Sequence, residues 1–104
     1  MSVIVVTGAA SGMGRAAVDR LRNSADHLIA VDLQQPDIEG TVGLACDISD
    51  PTSVAALADR VRELGDFRAL VHAAGISPTM AGARRVIEVD LVGTQLLLDA
   101  FEPL

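Results

Sequence analysis

Near its start the chain runs Val3-Ile4-Val5-Val6 straight into Thr7-Gly8-Ala9-Ala10-Ser11-Gly12-Met13-Gly14, and few folds accommodate that junction. The β-branched run predicts a strand, and its lack of polar alternation predicts cover on both faces, as in a central parallel strand. The glycines predict a turn, and the segment after it a helix from Met13 to about Asn23. Gly8, Gly12 and Gly14 can take positive φ and carry no Cβ to hold a ligand off the backbone. A phosphate fits such a turn, because the free N–H groups and positive dipole end of the helix would face it. A tight turn that only packs helix on strand would use the same glycines, so the turn alone leaves both readings open. The spacing G-x-x-x-G-x-G lacks the Gly-Lys-Ser/Thr ending of a P-loop, which argues against a nucleoside triphosphatase.

With 104 residues the chain is one domain at most, and it is shorter than a complete doubly wound enzyme. Its 8 basic and 14 acidic residues give a net charge of −6 without a basic cluster, which makes nucleic acid and anionic membrane poor partners. Two phenylalanines, with no Trp or Tyr, leave little for base stacking. Cys46 is the only cysteine, so no intrachain disulfide forms, and it reads as a small core residue in a reducing compartment. The N-terminus lacks a basic region with a long apolar core, and no apolar run nears a membrane span. A cytoplasmic protein is expected.

Within the first helix, Met13, Ala17 and Leu21 are spaced by four and predict its inner side, with Arg15, Asp19 and Arg22 outward. His27 to Asp32 reads as a second buried strand, completing a right-handed β-α-β unit. Asp32 ends that strand 18 residues after Gly14 (32 less 14), close to the roughly 20-residue separation that places an acid on an adenosine ribose. A strand-end Asp is also a common turn residue. Arg15, just after the glycine turn, is taken as the only nearby cation. Thr41 to Cys46 reads as a third strand, after which Asp50 caps a helix beginning at Pro51, with Val54, Leu57, Ala58, Val61 and Leu64 inward up to Gly65. Arg68 to His72 reads as the fourth strand, and the small residues that follow would let a flat ligand lie against the backbone. His72 itself reads as a hydrogen-bonded structural residue rather than an acid or base. Ser77 to Ala83, with Ser77-Pro78 and Gly82, reads as a loop. From Arg84 to Phe101 the positions Val86, Val89, Val92, Leu96 and Ala100, with Ile87, Leu91 and Leu98, predict a long helix buried on more than one side.

The segment Thr7 to Gly14 resembles the T-G-x-x-x-G-x-G turn of the short-chain dehydrogenase/reductase family, and later segments follow that family's order. Ala73-Ala74-Gly75 after His72 resembles its Asn-Asn-Ala-Gly motif, with His72 and Ala73 in place of the two asparagines. Val89-Asp90-Leu91-Val92-Gly93-Thr94 resembles its V-N-x-x-G-T segment. The resemblance implies an α/β fold, the first half of a Rossmann-type doubly wound parallel sheet in the strand order 3-2-1-4. Residues 1–104 would form an NAD(P)-binding domain cut before the catalytic Ser/Tyr/Lys segment. It further implies that Gly8, Ser11, Gly12, Met13 and Gly14 hold the pyrophosphate, and that Asp32 and Leu33 meet the adenosine ribose. Asp47 would touch the adenine amino group with Ile48 beside the ring, and Ala73, Ala74 and Gly75 would line the cofactor. Leu33, Gln34 and Gln35 offer no Arg or Lys to a 2′-phosphate, which is the family's NAD-preferring pattern. The short connection from Gly75 to Asp90 resembles a hydroxysteroid dehydrogenase/carbonyl reductase subgroup.

No Ser followed by Tyr-x-x-x-Lys is present, so Asp90, in the place of the family's catalytic asparagine, is the one catalytic candidate; no metal ligands stand out. Two readings follow. In the first the chain is the NAD-binding half of an oxidoreductase that moves hydride between nicotinamide and an alcohol or ketone, inactive by itself and truncated or proteolysed. In the second it is a non-catalytic nucleotide-sensing or interaction module. An S-adenosylmethionine methyltransferase also uses a glycine turn and a strand-end acid, but the matches at Asp47, Ala74-Gly75 and Asp90 argue against it. A chain ending at Leu104 would leave Arg68 to His72 as an open sheet edge and Leu91, Leu98 and Phe101 uncovered, so a homo-oligomer through residues 84–101 is expected.

Overall fold

Four short β-branched or apolar runs become four parallel strands in a computed structural model that describes residues 1–76 and 80–104. They are β1 (Ser2–Thr7), β2 (His27–Asp32), β3 (Val42–Ala45) and β4 (Asp66–His72), in the order β3-β2-β1-β4. β1 pairs along its length with β2, from Val3 opposite His27 to Thr7 opposite Val31, and with β4, from Ser2 opposite Asp66 to Thr7 opposite His72. All three pairings are parallel, so the carboxyl ends of all four strands share one edge. β4 stands at one end of that order.

Both faces of β1 are buried, which is why its apolar run has no polar alternation. On one face Ile4, Val6, Leu28 and Ala30 pack with Val18 of helix α1 (Gly12–Leu21). On the other, Val3, Val5, Ile29 and Val31 pack with Val54, Leu57, Ala58 and Val61 of α2 (Pro51–Leu64). α2 starts where its cap predicts: Asp50 Oδ1 accepts from the Thr52 N–H at 3.1 Å, and Pro51 occupies the first turn. It ends at Gly65, whose N–H returns to the Val61 carbonyl.

The remaining helical run is one rod in three parts: α3 (Ala83–Ile87), a π-turn (Glu88–Val92) and α4 (Gly93–Phe101). It joins the same face as α2 through Val89, Leu97 and Phe101. The π-turn corrects the expected inner face. The Gly93 N–H reaches back five residues to the Glu88 carbonyl, so the position after Val89 that turns inward is Gly93, and Val92 is left exposed. Gly93 has to be small there, since a Cβ would come within 2.8 Å of the Ile48 side chain.

Three further expectations are corrected. Met13 is 81% exposed, and the inner side of α1 is Gly14 and Val18 with the expected Ala17 and Leu21 packed beside them; the helix begins one residue earlier than expected, and Met13 falls about 100° around from Gly14. Phe101 is not part of an uncovered surface, because it is buried edge-on against Phe67, centroids 5.1 Å apart at 89°. β4 starts two residues earlier, at Asp66, and β3 is shorter than expected. Ile87, Leu91 and Leu98 do remain exposed. The expected loop at Ser77-Pro78 lies outside the described residues. Among the described residues no helix is long and apolar enough to cross a membrane.

Candidate functional site

The three glycines of the first turn do three different things. Gly8 has φ of +66°, and a Cβ on it would sit 2.8 Å from the backbone of Ala73 and Ala74, so it locks the end of β1 against the end of β4. Gly14 is buried, and a Cβ on it would overlap the Gly8 carbonyl. Gly12, at φ +59°, has nothing within 4 Å of its missing Cβ. Open space therefore lies over the turn where helix α1 begins. Ser11 takes the N-cap position but its hydroxyl makes no capping bond, and the first helical hydrogen bond is Arg15 N–H to the Ser11 carbonyl. The N–H groups at the start of the helix remain for an anion.

Asp32 fastens this turn to β2. Its Oδ2 accepts from the Ala10 N–H at 3.0 Å and its Oδ1 from the Leu33 N–H at 2.8 Å, while the Ala9 N–H donates to the Val31 carbonyl. Beyond Asp32 a cleft of about 220 Å³ opens along the carboxyl ends of the strands. That volume holds a nucleoside-sized moiety, below the roughly 300–1,000 Å³ of a drug-sized pocket, so a longer ligand would run out of it over the open glycine turn at Gly12. Of the expected residues, Gly8, Ser11, Asp32, Leu33, Asp47, Ile48, Ala73, Ala74 and Gly75 line it. Gly12, Met13 and Gly14 do not: Gly14 is packing, and Gly12 and Met13 face outward beside the cleft.

One wall of the cleft carries a charge cluster that local sequence did not reveal. Asp47 Oδ1 accepts from the Ser49 hydroxyl at 2.6 Å and the Ser49 N–H at 3.0 Å. The Arg85 guanidinium, reaching in from α3, lies 3.6 Å from the same oxygen and bonds Ser49 Oγ at 2.7 Å. The Ser49 hydroxyl bond, opposed by partial burial and helped by the Ser49 N–H and the charge of Arg85, holds the Asp47 carboxyl below the usual range. Arg15, the expected nearby cation, is instead paired with Asp19 on α1 at 3.4 Å and does not line the cleft. The floor holds Cys46, where burial pushes the thiol up despite a hydrogen bond from Ser53, with Asp47 and Asp50 adding to the rise. This supports a core role for the thiol.

Asp90 does not line the cleft with its carboxylate, which accepts from the Ile76 N–H at 2.8 Å and so pins Ile76. Its carbonyl accepts from the Thr94 hydroxyl at 2.7 Å. Thr94 Oγ1 is also 2.8 Å from His72 Nε2, and His72 Nδ1 is 2.7 Å from Thr7 Oγ1, which in turn accepts from the Ala74 N–H at 3.2 Å. The donors follow from the ends of this chain. Thr94 spends its proton on Asp90, so His72 Nε2–H must donate to Thr94; Thr7 can then donate to a bare Nδ1. Every member is satisfied with a neutral imidazole, as expected for a structural histidine.

A pH dependence follows. Burial lowers the His72 pKa from its usual 6.5, with the charge of Asp90 opposing. The unfolded chain therefore binds this proton more readily, and the stability held above pH about 6.5 drains away as pH falls from there through the lowered folded value. Urea unfolding between pH 7.5 and 5 should show this acid limb, and His72→Asn, which can still accept from Thr7 and donate to Thr94, should flatten it. An unchanged limb in the variant would contradict the neutral assignment.

Comparison with known proteins gives the same picture of the chain. The family described as short chain dehydrogenase matches residues 2–104. D-threitol dehydrogenase of Mycolicibacterium smegmatis is 33% identical over 94% of this chain and 45% of its own length. Among solved structures, ligand-free aldohexose dehydrogenase of Thermoplasma acidophilum superposes with a TM-score of 0.85 at 29% identity, over 98% of this chain and 43% of that one. A short chain dehydrogenase from Burkholderia cenocepacia in complex with NADP gives 0.80 at 28% identity, over 97% and 46%. The chain thus spans less than half the length of each.

Proposed function

Because the chain belongs to the short-chain dehydrogenase family, we propose that it forms the NAD-binding half of an oxidoreductase acting on an alcohol or ketone. The observation that supports this best is the meeting of an open glycine turn, the carboxylate of Asp32 and the Asp47–Ile48 wall around one cleft at the carboxyl edge of a parallel sheet. Ligands of doubly wound sheets bind along that edge. The residues present fit the dinucleotide. Gly8, Ser11 and Gly12, with the start of α1, would cradle the pyrophosphate, and Asp32 would accept from the ribose hydroxyls. Asp47 and Ile48 would meet the adenine, and Ala73 to Gly75 would lie along the remainder. The bound nicotinamide supplies the hydride chemistry. Asp90 contributes order, holding Ile76 and, through Thr94, the His72 network.

Residues 1–104 would then precede the family's Ser/Tyr/Lys segment, in a cytoplasmic protein whose short Gly75-to-Asp90 connection suits the hydroxysteroid dehydrogenase/carbonyl reductase subgroup. Calorimetric titration with NAD(H) tests the site: saturable binding that Asp32→Ala weakens is expected, and no binding would refute it. The 104 residues alone should reduce no ketone in an NADH oxidation assay, since a chain without tyrosine cannot build the family's proton relay. Turnover above the buffer rate would contradict this. The second reading, a nucleotide-sensing module without the chemistry, predicts no turnover in the same assay even from the full-length parent protein.

The exposed Ile87, Leu91 and Leu98 support pairing of two copies through residues 84–101. Light scattering should report more than one chain per particle, and Leu91→Glu with Leu98→Glu should shift it to 10.8 kDa. A wild-type monomer at high concentration would count against the pairing.

A further inference from the structure

Asp47 meets Arg85 only because the helical rod after β4 crosses back to the end of β3. We infer that Arg85 is a positioning residue for base recognition: through Ser49 and Asp47 it presents one carboxylate oxygen as a fixed acceptor for the exocyclic amine of an adenine base. The inference rests on the dinucleotide reading proposed above and adds to it the residue that fixes the carboxylate facing the base.

The direction of the hydrogen bonds carries the argument. Ser49 Oγ donates its single proton to Asp47 Oδ1 at 2.6 Å, so the bond between Ser49 Oγ and Arg85 Nη1 at 2.7 Å must run from the guanidinium to the hydroxyl. Arg85 Nη2 lies 3.6 Å from the same Oδ1, and the Ser49 N–H donates to it as well. Oδ1 is thereby committed to two hydrogen bonds from Ser49 and to the charge of Arg85. Among the described residues no donor is paired with Oδ2, and Asp47 lines the cleft beside the buried Ile48. An ionised carboxylate can only accept. Adenine offers an amine at the position where hypoxanthine offers a carbonyl, so a fixed Oδ2 accepts the first base and opposes the second.

A second role for a cation at this spot would be to attract the anionic dinucleotide from a distance. That role helps both bases equally, because their dinucleotides carry the same charge. The ratio of the two affinities therefore separates positioning from attraction, and neither a change in folding nor a change in steering moves it. Both Arg85 and Asp47 are about two-fifths exposed, so the effect of breaking the pair is moderate rather than total.

The test titrates the chain with NAD and with nicotinamide hypoxanthine dinucleotide. The unsubstituted chain should favour the adenine form by about tenfold or more. Arg85→Met should lower that ratio by about three- to tenfold. Arg85→Lys should restore part of it, since an ammonium keeps the charge but not the two-pronged geometry. Arg84→Met, which removes an exposed charge outside the cleft lining, should leave the ratio as it was. Should Arg85→Met fail to fold, Ser49→Ala cuts the same chain in its middle and carries the same expectation. A wild-type ratio in Arg85→Met, whatever its overall affinity, would overturn the inference while leaving the cofactor reading intact. Binding of neither dinucleotide by the unsubstituted chain would overturn both.

Discussion

Gly14→Ala is expected to destabilise the chain by about 3 kcal/mol or more, near or above the upper end of the usual penalty for overpacking. Helix propensity alone says the opposite, since replacing glycine by alanine inside a helix ordinarily stabilises by about 1 kcal/mol. Packing decides the sign. The added methyl would overlap the Gly8 carbonyl, and Gly8 has little room to retreat because the backbone of Ala73 and Ala74 already fills the space where its own Cβ would be. Three backbone segments, from the turn, α1 and the end of β4, meet with no side chain between them. For a domain of about this size, each kcal/mol lost lowers the melting temperature by roughly 4–8 °C, so a fall of more than about 12 °C is expected by scanning calorimetry. Gly12→Ala gives the internal comparison: nothing lies near its missing Cβ, so it should cost only the left-handed backbone, about 1–2 kcal/mol. A Gly14→Ala protein as stable as the parent would show that helix and turn can slide apart, and that the junction is looser than its contacts suggest.

The elements were legible in the sequence where a local signal marks both ends. Asp50-Pro51 and Gly65 bracket α2, and its bounds are those expected; β2 is an apolar run stopped by Asp32. Strand order was legible too, but through the family resemblance and the handedness of crossovers rather than from any one residue. The phase of the helices was not. On α1 a shift of one residue in the start exchanges Met13 for Gly14 on the inner side. On the rod after β4 the π-turn moves the inner position from Val92 to Gly93, and apolar residues around most of the circumference left no polar face to fix the rotation.

The site divides in the same way. Residues at or just after strand ends, Gly8, Asp32, Asp47 and Ala73 to Gly75, came out on one edge because a parallel sheet brings all its carboxyl ends together. Arg85 could not be found so, since its place depends on the path of the rod across the sheet and not on any neighbour in sequence. Arg15 was the nearer cation by residue number, yet it is spent on Asp19. His72 was legible in kind but not in its partners, Thr7 and Thr94, which lie 65 and 22 residues away.

NAD should bind this chain more tightly than NADP, by about five- to 150-fold, corresponding to about 1–3 kcal/mol for like charges brought together at the ribose. Asp32 cannot easily turn away from an added 2′-phosphate, because each of its oxygens is held by a backbone N–H, from Ala10 and from Leu33. Nor is a cation on hand to neutralise the phosphate. Leu33 offers none, Arg15 is paired on α1, and Arg85, though it lines the cleft, is engaged by Asp47 and Ser49. The Burkholderia cenocepacia relative holds NADP on a similar fold, so the preference rests on these side chains and not on the architecture. Asp32→Ala removes the charge but also releases the Ala10 N–H that it holds, which should weaken both cofactors. The ratio of affinities is therefore the quantity to measure, and it should fall toward unity in the variant. Equal or tighter binding of NADP by the unsubstituted chain would mean that one of the two arginines leaves its partner for the phosphate, and the assignment of NAD would fall.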